Sequence, residues 1–141
     1  MPDMADAPTV KPYESMIMPP EGAVQTNEIL YPKDIVEAEK VFKNPYPQND
    51  PRFLAKGKEL WNTFCITCHG AQADGQHKLK GGYPPPPDLR VDYYKEKKDG
   101  FYFHKITFGG ALMPGYGYAI EPIERWQIIS YLRTLQNEGG K

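Results

Sequence analysis

The segment DPRFLAKGKELWNTFCITCHG, residues 50–70, decides how the chain is read. Asp50 is a helix-capping residue and Pro51 suits the first helical position. Phe53/Leu54, Gly57, Leu60/Trp61 and Phe64 recur every three to four residues, so one helix is predicted to run straight into Cys65. It arrives at Cys65-Ile66-Thr67-Cys68-His69. Two thiols about one helical turn apart with an imidazole directly after them have the spacing of c-type haem attachment: the thiols add to the two vinyl groups, and His69 is held below the ring where a nitrogen reaches iron. Two other chemistries use a Cys-x-x-Cys pair. A thioredoxin-like redox pair requires a βαβ pattern that the chain lacks. A structural zinc site could draw on Cys65, Cys68 and two of His69, His77 and His104, but it leaves the glycine–proline loops and Met113 unexplained.

Outward from the motif, residues 70–90 are rich in glycine and proline and show neither helical nor strand period. A second helix is expected over 92–108, broken near Asp99-Gly100 and stopped by Gly109. A further glycine-rich loop, 109–118, leads to a last helix that starts at Glu121-Pro122 and places Ile128, Tyr131/Leu132 and Leu135 on one face. No strand-like alternation occurs, so the fold class is all-α and loop-rich. About 90 residues of this kind build only a small core, and a large apolar cofactor at its centre accounts for its stability.

The chain has 141 residues and a formal charge of -1, which excludes a strongly basic nucleic-acid binder, and no apolar run approaches the roughly 20 residues of a membrane-spanning helix. The charge is unevenly spread: residues 1–50 hold nine acids and four lysines, whereas residues 51–141 hold nine acids and 13 bases. The first segment contains eight prolines and scattered apolar residues. It reads as an extended acidic arm lying along a surface, with one short helix from an Asp34 cap through Ile35, Val36, Ala38, Val41 and Phe42 to a stop at Asn44-Pro45. The expected division is therefore an arm, 1–50, and a haem domain, 51–141.

For the sixth position on iron the chain offers Met113, His77 and His104. Four of its five methionines lie in the arm; Met113 alone lies in the domain, in a loop too rich in glycine for a helix interior and stiffened by Pro114. His69 and Met113 are thus the expected axial ligands. A His/Met pair fills both axial sites and suits electron transfer rather than substrate chemistry. A peroxidase-type enzyme would instead need an open iron and an acid–base group above the ring.

With these residues in place, 52–136 resembles a class I cytochrome c domain. Gly57 and Trp61 are similar to the glycine and aromatic of the family's first helix, and Ile128 and Tyr131 to their partners on the last. Pro87-Asp88-Leu89 resembles the Pro-x-Leu segment of the haem pocket, which implies that the Pro87 carbonyl accepts a hydrogen bond from His69. A narrower resemblance, to the monohaem cytochrome c subunit of bacterial alternative complex III, rests on Met16–Val24, Lys43-Asn44-Pro45, Gly57-Lys58-Glu59-Leu60-Trp61, Phe103-His104 and Glu124-Arg125-Trp126-Gln127. It implies several things: a membrane-associated quinol-oxidising assembly with multihaem and iron–sulfur subunits, delivery of electrons to a soluble carrier or terminal oxidase, a periplasmic location, and an N-terminal lipid anchor. No cysteine precedes Cys65 and no signal peptide is seen, so the resemblance also implies an exported precursor. A free periplasmic shuttle is the alternative; Lys78, Lys80, Lys95, Lys97, Lys98 and Lys105 could steer either form to an acidic partner.

Overall fold

The computed structural model describes residues 21, 23, 30–32, 34–76 and 84–138, and the packing falls into two units, Met1–Leu30 and Tyr31–Lys141. Most of the first unit, together with His77, Lys78 and Lys80, lies outside the described residues.

The second unit is helical, with no strand among the described residues: α1 Ile35–Val41, α2 Pro51–Leu60, α3 Ile66–His69, α4 Asp92–Lys95, α5 Asp99–Phe108 and α6 Pro122–Glu138. α1 starts where the Asp34 carboxylate accepts the Glu37 N–H at 2.8 Å. α2 starts in the same way, the Asp50 carboxylate accepting from Arg52 and Phe53 above Pro51. The predicted run into Cys65 is continuous but not uniform: Trp61–Cys65 is a π-helical turn in which the Ile66 N–H reaches back to the Trp61 carbonyl. A π turn inserts one residue and rotates the next stretch of chain, so it re-aims the two thiols and the imidazole relative to α2. No feature of the sequence announces it.

The break in the second helix falls at 96–98, slightly before Asp99-Gly100, and the physical reason is Arg133 of α6. Its guanidinium donates to the carbonyls of Lys95 and Lys97 and pairs with Asp99 at 2.8 Å, satisfying backbone groups that the interruption exposes. Gly109 ends α5 with φ 79°, open to glycine at little cost.

α2 packs across α6, and α5 is held between α6 and α1. Residues 31–50, assigned to the arm on composition, lie within the second unit. Tyr31 stacks on Phe103, with ring centroids 6.4 Å apart, and Phe42 meets Phe103 edge-on at 5.1 Å. Trp126 closes this aromatic cluster at 4.3 Å from Phe103. Asn44 donates to Ser130 on α6, and Glu39 accepts the Lys98 N–H. Charge and proline content concealed this packing because few side chains carry it. The closest approach is α1 against Gly100, where an added Cβ would lie 2.1 Å from the Ala38 carbonyl oxygen.

Gly100→Ala should therefore cost about 1–3 kcal/mol. The check is denaturant unfolding of the haem-loaded protein; an unchanged midpoint would mean that α1 is not part of the folding unit.

Candidate haem site

The π turn and α3 carry Cys65, Cys68 and His69 onto the wall of an apolar cavity of about 360 Å³. The remaining walls come from Pro84–Pro87 and Leu89, from Tyr94 and from Tyr102, Lys105 and Ile106 of α5. The loop bearing Met113, and Ile128 and Leu132 of α6, complete it. All six residues singled out from the sequence, Cys65, Cys68, His69, Pro87, Leu89 and Met113, thus face one space. His104 does not line it: its ring lies against Phe108, at 4.8 Å.

Each wall has a local cause. Trp61, buried where α2 gives way to the π turn, donates its indole N–H to the Gly70 carbonyl at 3.1 Å and sets its ring 6.0 Å from that of His69. The loop after His69 folds back: the Gly75 N–H reaches the His69 carbonyl, and the Leu89 N–H reaches the Ala73 carbonyl at 2.8 Å. That bond registers the proline-rich segment against the motif. On the other side Gln136 of α6 donates to the Leu89 carbonyl at 2.7 Å and to the Tyr102 hydroxyl at 3.0 Å. Gln136 and Tyr102 read in sequence as ordinary polar and helical positions, and no signal marked them. The methionine loop is closed on itself by Gly110 N–H to Met113 O at 2.8 Å and sewn to the end of α5 by Tyr116 N–H to Ile106 O at 2.7 Å and Gly117 N–H to Thr107 O at 3.1 Å.

Electrostatically the site is that of a neutral ligand set. Burial holds the His69 imidazole below its ordinary pKa, and its Nδ1 is buried without a hydrogen-bond partner; the bond expected to the Pro87 carbonyl is not made. Burial, reinforced by the neighbouring Cys68, pushes the Cys65 thiol up to about 12. The two thiols are not joined to each other. An apolar hollow whose walls offer two thiols, an imidazole that burial holds towards its neutral form and a thioether fits a haem in chemistry. No group of three or more His, Cys, Asp and Glu side chains able to hold a metal ion occurs among the described residues, and His77, which the zinc set could draw on, lies outside them.

Comparison with known proteins decides the family. The chain matches the cytochrome c family profile over residues 54–136, more than half its length. It belongs to the cytochrome c family. It is an electron-transfer domain that binds one haem c covalently, through the motif that Cys65 and Cys68 fit. Among curated proteins it is similar to thiosulfate dehydrogenase of Stutzerimonas stutzeri (strain A1501), 31% identical over 57% of this chain. It is also similar to thiosulfate dehydrogenase of Thiomonas intermedia (strain K12), 28% identical over 62%. The match spans only 27% and 28% of those proteins' own lengths. Among solved structures, cytochrome CL of Methylophaga aminisulfidivorans MPT superposes with a TM-score of 0.50 at 25% identity, covering 62% of this chain and 55% of that one. A reducing HAO-like protein complex of Kuenenia stuttgartiensis shares the fold, with a TM-score of 0.53 at 21% identity, covering 67% and 49%. The all-α class I cytochrome c fold follows from both the helices and these neighbours.

Gln136→Leu would leave the Leu89 carbonyl and the Tyr102 hydroxyl without their shared donor. A loss of about 1–3 kcal/mol is expected, with covalent haem retained. Thermal melting followed at a haem band checks it.

Proposed function

We propose that this cytochrome is an electron relay with His69 and Met113 as axial ligands, working as a subunit of a membrane-associated quinol-oxidising assembly on the periplasmic side of the bacterial inner membrane. It would receive electrons from a multihaem partner and deliver them to a soluble carrier or a terminal oxidase. The observation that carries the relay is that a single cavity receives both His69 and Met113. Held by both His69 and Met113, a haem would supply a one-electron couple and would offer no vacant position for substrate. The chain's own groups do the rest. Burial disfavours the charged form of His69, and Met113 is held by a loop bonded at two points to the end of α5. Pro87 lines the same cavity as His69, whose Nδ1 is unpartnered, and its carbonyl would be the acceptor for that nitrogen with haem bound, a bond that would fix the imidazole and raise its basicity.

Membership of the assembly is supported by the resemblance to the alternative complex III subunit, which extends into the first 50 residues. A lipid anchor on an exported precursor belongs to the same reading. No helix among the described residues is long and apolar enough to cross a membrane, so attachment would come through partner subunits and any acyl chain. A second reading, a thiosulfate-oxidising enzyme, is favoured by the names of the two curated relatives.

Met113→Ala should keep the covalent haem, abolish the far-red sulfur-to-iron band of the oxidised protein, lower the reduction potential and let the reduced protein bind carbon monoxide. Persistence of the band would overturn the ligation. For the partner, membranes solubilised in mild detergent should yield the protein together with a multihaem cytochrome and quinol-dependent reduction of its haem, and removal of residues 1–30 should abolish this while leaving the haem spectrum intact. Reduction by thiosulfate alone, without quinol, would favour the enzyme.

A further inference from the structure

Arg125, in the first turns of α6, is 2% exposed, and no carboxylate pairs with it among the described residues. Among the described residues the groups that accept its hydrogen bonds are neutral. Its Nε donates to the Ile120 carbonyl at 2.9 Å and Nη2 to the Gly117 carbonyl at 2.7 Å. Nη1 donates both to the Tyr31 hydroxyl at 2.8 Å and to the Thr107 hydroxyl at 3.0 Å. Thr107 gives its own proton to the Phe103 carbonyl, so its oxygen is free to accept. The guanidinium carbon lies 5.4 Å from the centre of the Phe103 ring and 5.9 Å from that of Tyr31.

A buried charge costs several kcal/mol unless its surroundings replace its hydration. Among the described residues they do so with dipoles alone, and no carboxylate there pairs with the positive charge in its interior of low dielectric. The placement of these dipoles gives the residue a task. Gly117 and Ile120 belong to the chain that runs on from Met113, Thr107 lies in the last turn of α5, and Tyr31 begins the compact unit. One planar fork thus joins the far limb of the methionine loop to the helix on which its near limb is anchored, and Tyr116 and Ile120 within that limb line the haem cavity. A lysine has a single point of donation and cannot reproduce this geometry.

We infer that Arg125 is a positioning residue for Met113 and sets the reduction potential of the haem. Two of its four bonds hold the chain that runs on from Met113 and two tie it to Thr107 and Tyr31, and its charge, unpaired among the described residues, favours the reduced state, which carries one positive charge less at iron. The inference rests on the Met113 ligation proposed above.

The test uses the haem-loaded protein. The wild type is measured first for the far-red band; its absence overturns the ligation and the inference together, before any Arg125 variant is made. With the band present, Arg125→Gln should lower the ratio of reduced to oxidised haem at fixed ambient potential about tenfold, equivalent to ~59 mV for a one-electron couple. It should also let added imidazole displace the methionine at a concentration at least several-fold lower. Arg125→Lys keeps the charge and loses the fork, so it should recover most of the potential and little of the resistance to imidazole. Tyr31→Phe removes one bond and should show a smaller gain in imidazole affinity. A lower melting temperature with potential and imidazole affinity within about twofold of wild type in all three variants would make Arg125 merely structural and overturn the inference. If Arg125→Gln does not fold, Arg125→Lys and Tyr31→Phe decide it: unchanged imidazole affinity in both overturns it, and increased affinity in both supports it.

Discussion

The crossing of α2 and α6 at Gly57 is the constraint on which the haem cavity depends. A Cβ there would lie 2.1 Å from the Gln127 carbonyl oxygen, so the two helices meet backbone against side-chain-free backbone. This approach sets Trp61, one turn further along, with its ring 6.3 Å from that of Tyr131 and its N–H within reach of the Gly70 carbonyl. The motif beyond Trp61 and the α6 residues Ile128 and Leu132 are then opposite parts of one wall system. Widening the crossing by a methyl group would shift the thiols and imidazole relative to α6, and the cavity would lose its shape before any residue lining it had changed.

A domain of this size cannot both fill its interior and leave room for a large cofactor with helix packing alone. It compensates in two ways. Behind α5, Tyr31, Phe42, Phe103 and Trp126 form an aromatic cluster that does not line the cavity, so α5 has one face on the cavity and another on a packed core. The loops, which lack ladders of their own, are instead tied by long side chains of α6: Arg125 to 117 and 120, Arg133 to 95 and 97, Gln136 to 89. Buried backbone carbonyls must find donors somewhere, and in this protein one helix supplies many of them.

This division of labour explains what could be read in the sequence. Helix caps and apolar periodicity are local, so Asp34, Asp50-Pro51, Gly109 and Pro122 marked the ends of four helices, and the haem motif is five consecutive residues. Gly57 and Met113 stood out because each is an unusual residue for its surroundings. The π turn left no trace, since it differs from the α-helix by one residue per turn and not by composition. Gln136 and Arg133 left none either, because a polar residue in the last turns of an amphipathic helix looks the same whether it faces water or a buried carbonyl 36 to 47 residues away. The membership of 31–50 in the domain was hidden for a related reason: its acidic, proline-rich composition describes its exposed side, while its attachment rests on Tyr31, Ala38, Phe42 and Asn44.

The two arginines of α6 show how far the folding requirement and the redox requirement diverge. Arg133 gathers loop carbonyls much as Arg125 does, but it also pairs with Asp99, and both side chains keep some contact with solvent. Its charge is cancelled and partly screened, which is the inexpensive solution to bridging a loop to a helix. Arg125, about two turns earlier, is more deeply buried and lacks such a pair among the described residues. If holding a loop were the whole task, a carboxylate beside it would lower the cost of burial without loss of geometry. Among the described residues, the charge without a carboxylate belongs to the arginine that bonds the chain running on from Met113, where a positive potential would favour the reduced haem, and the paired charge to the arginine that bonds the chain just before α5.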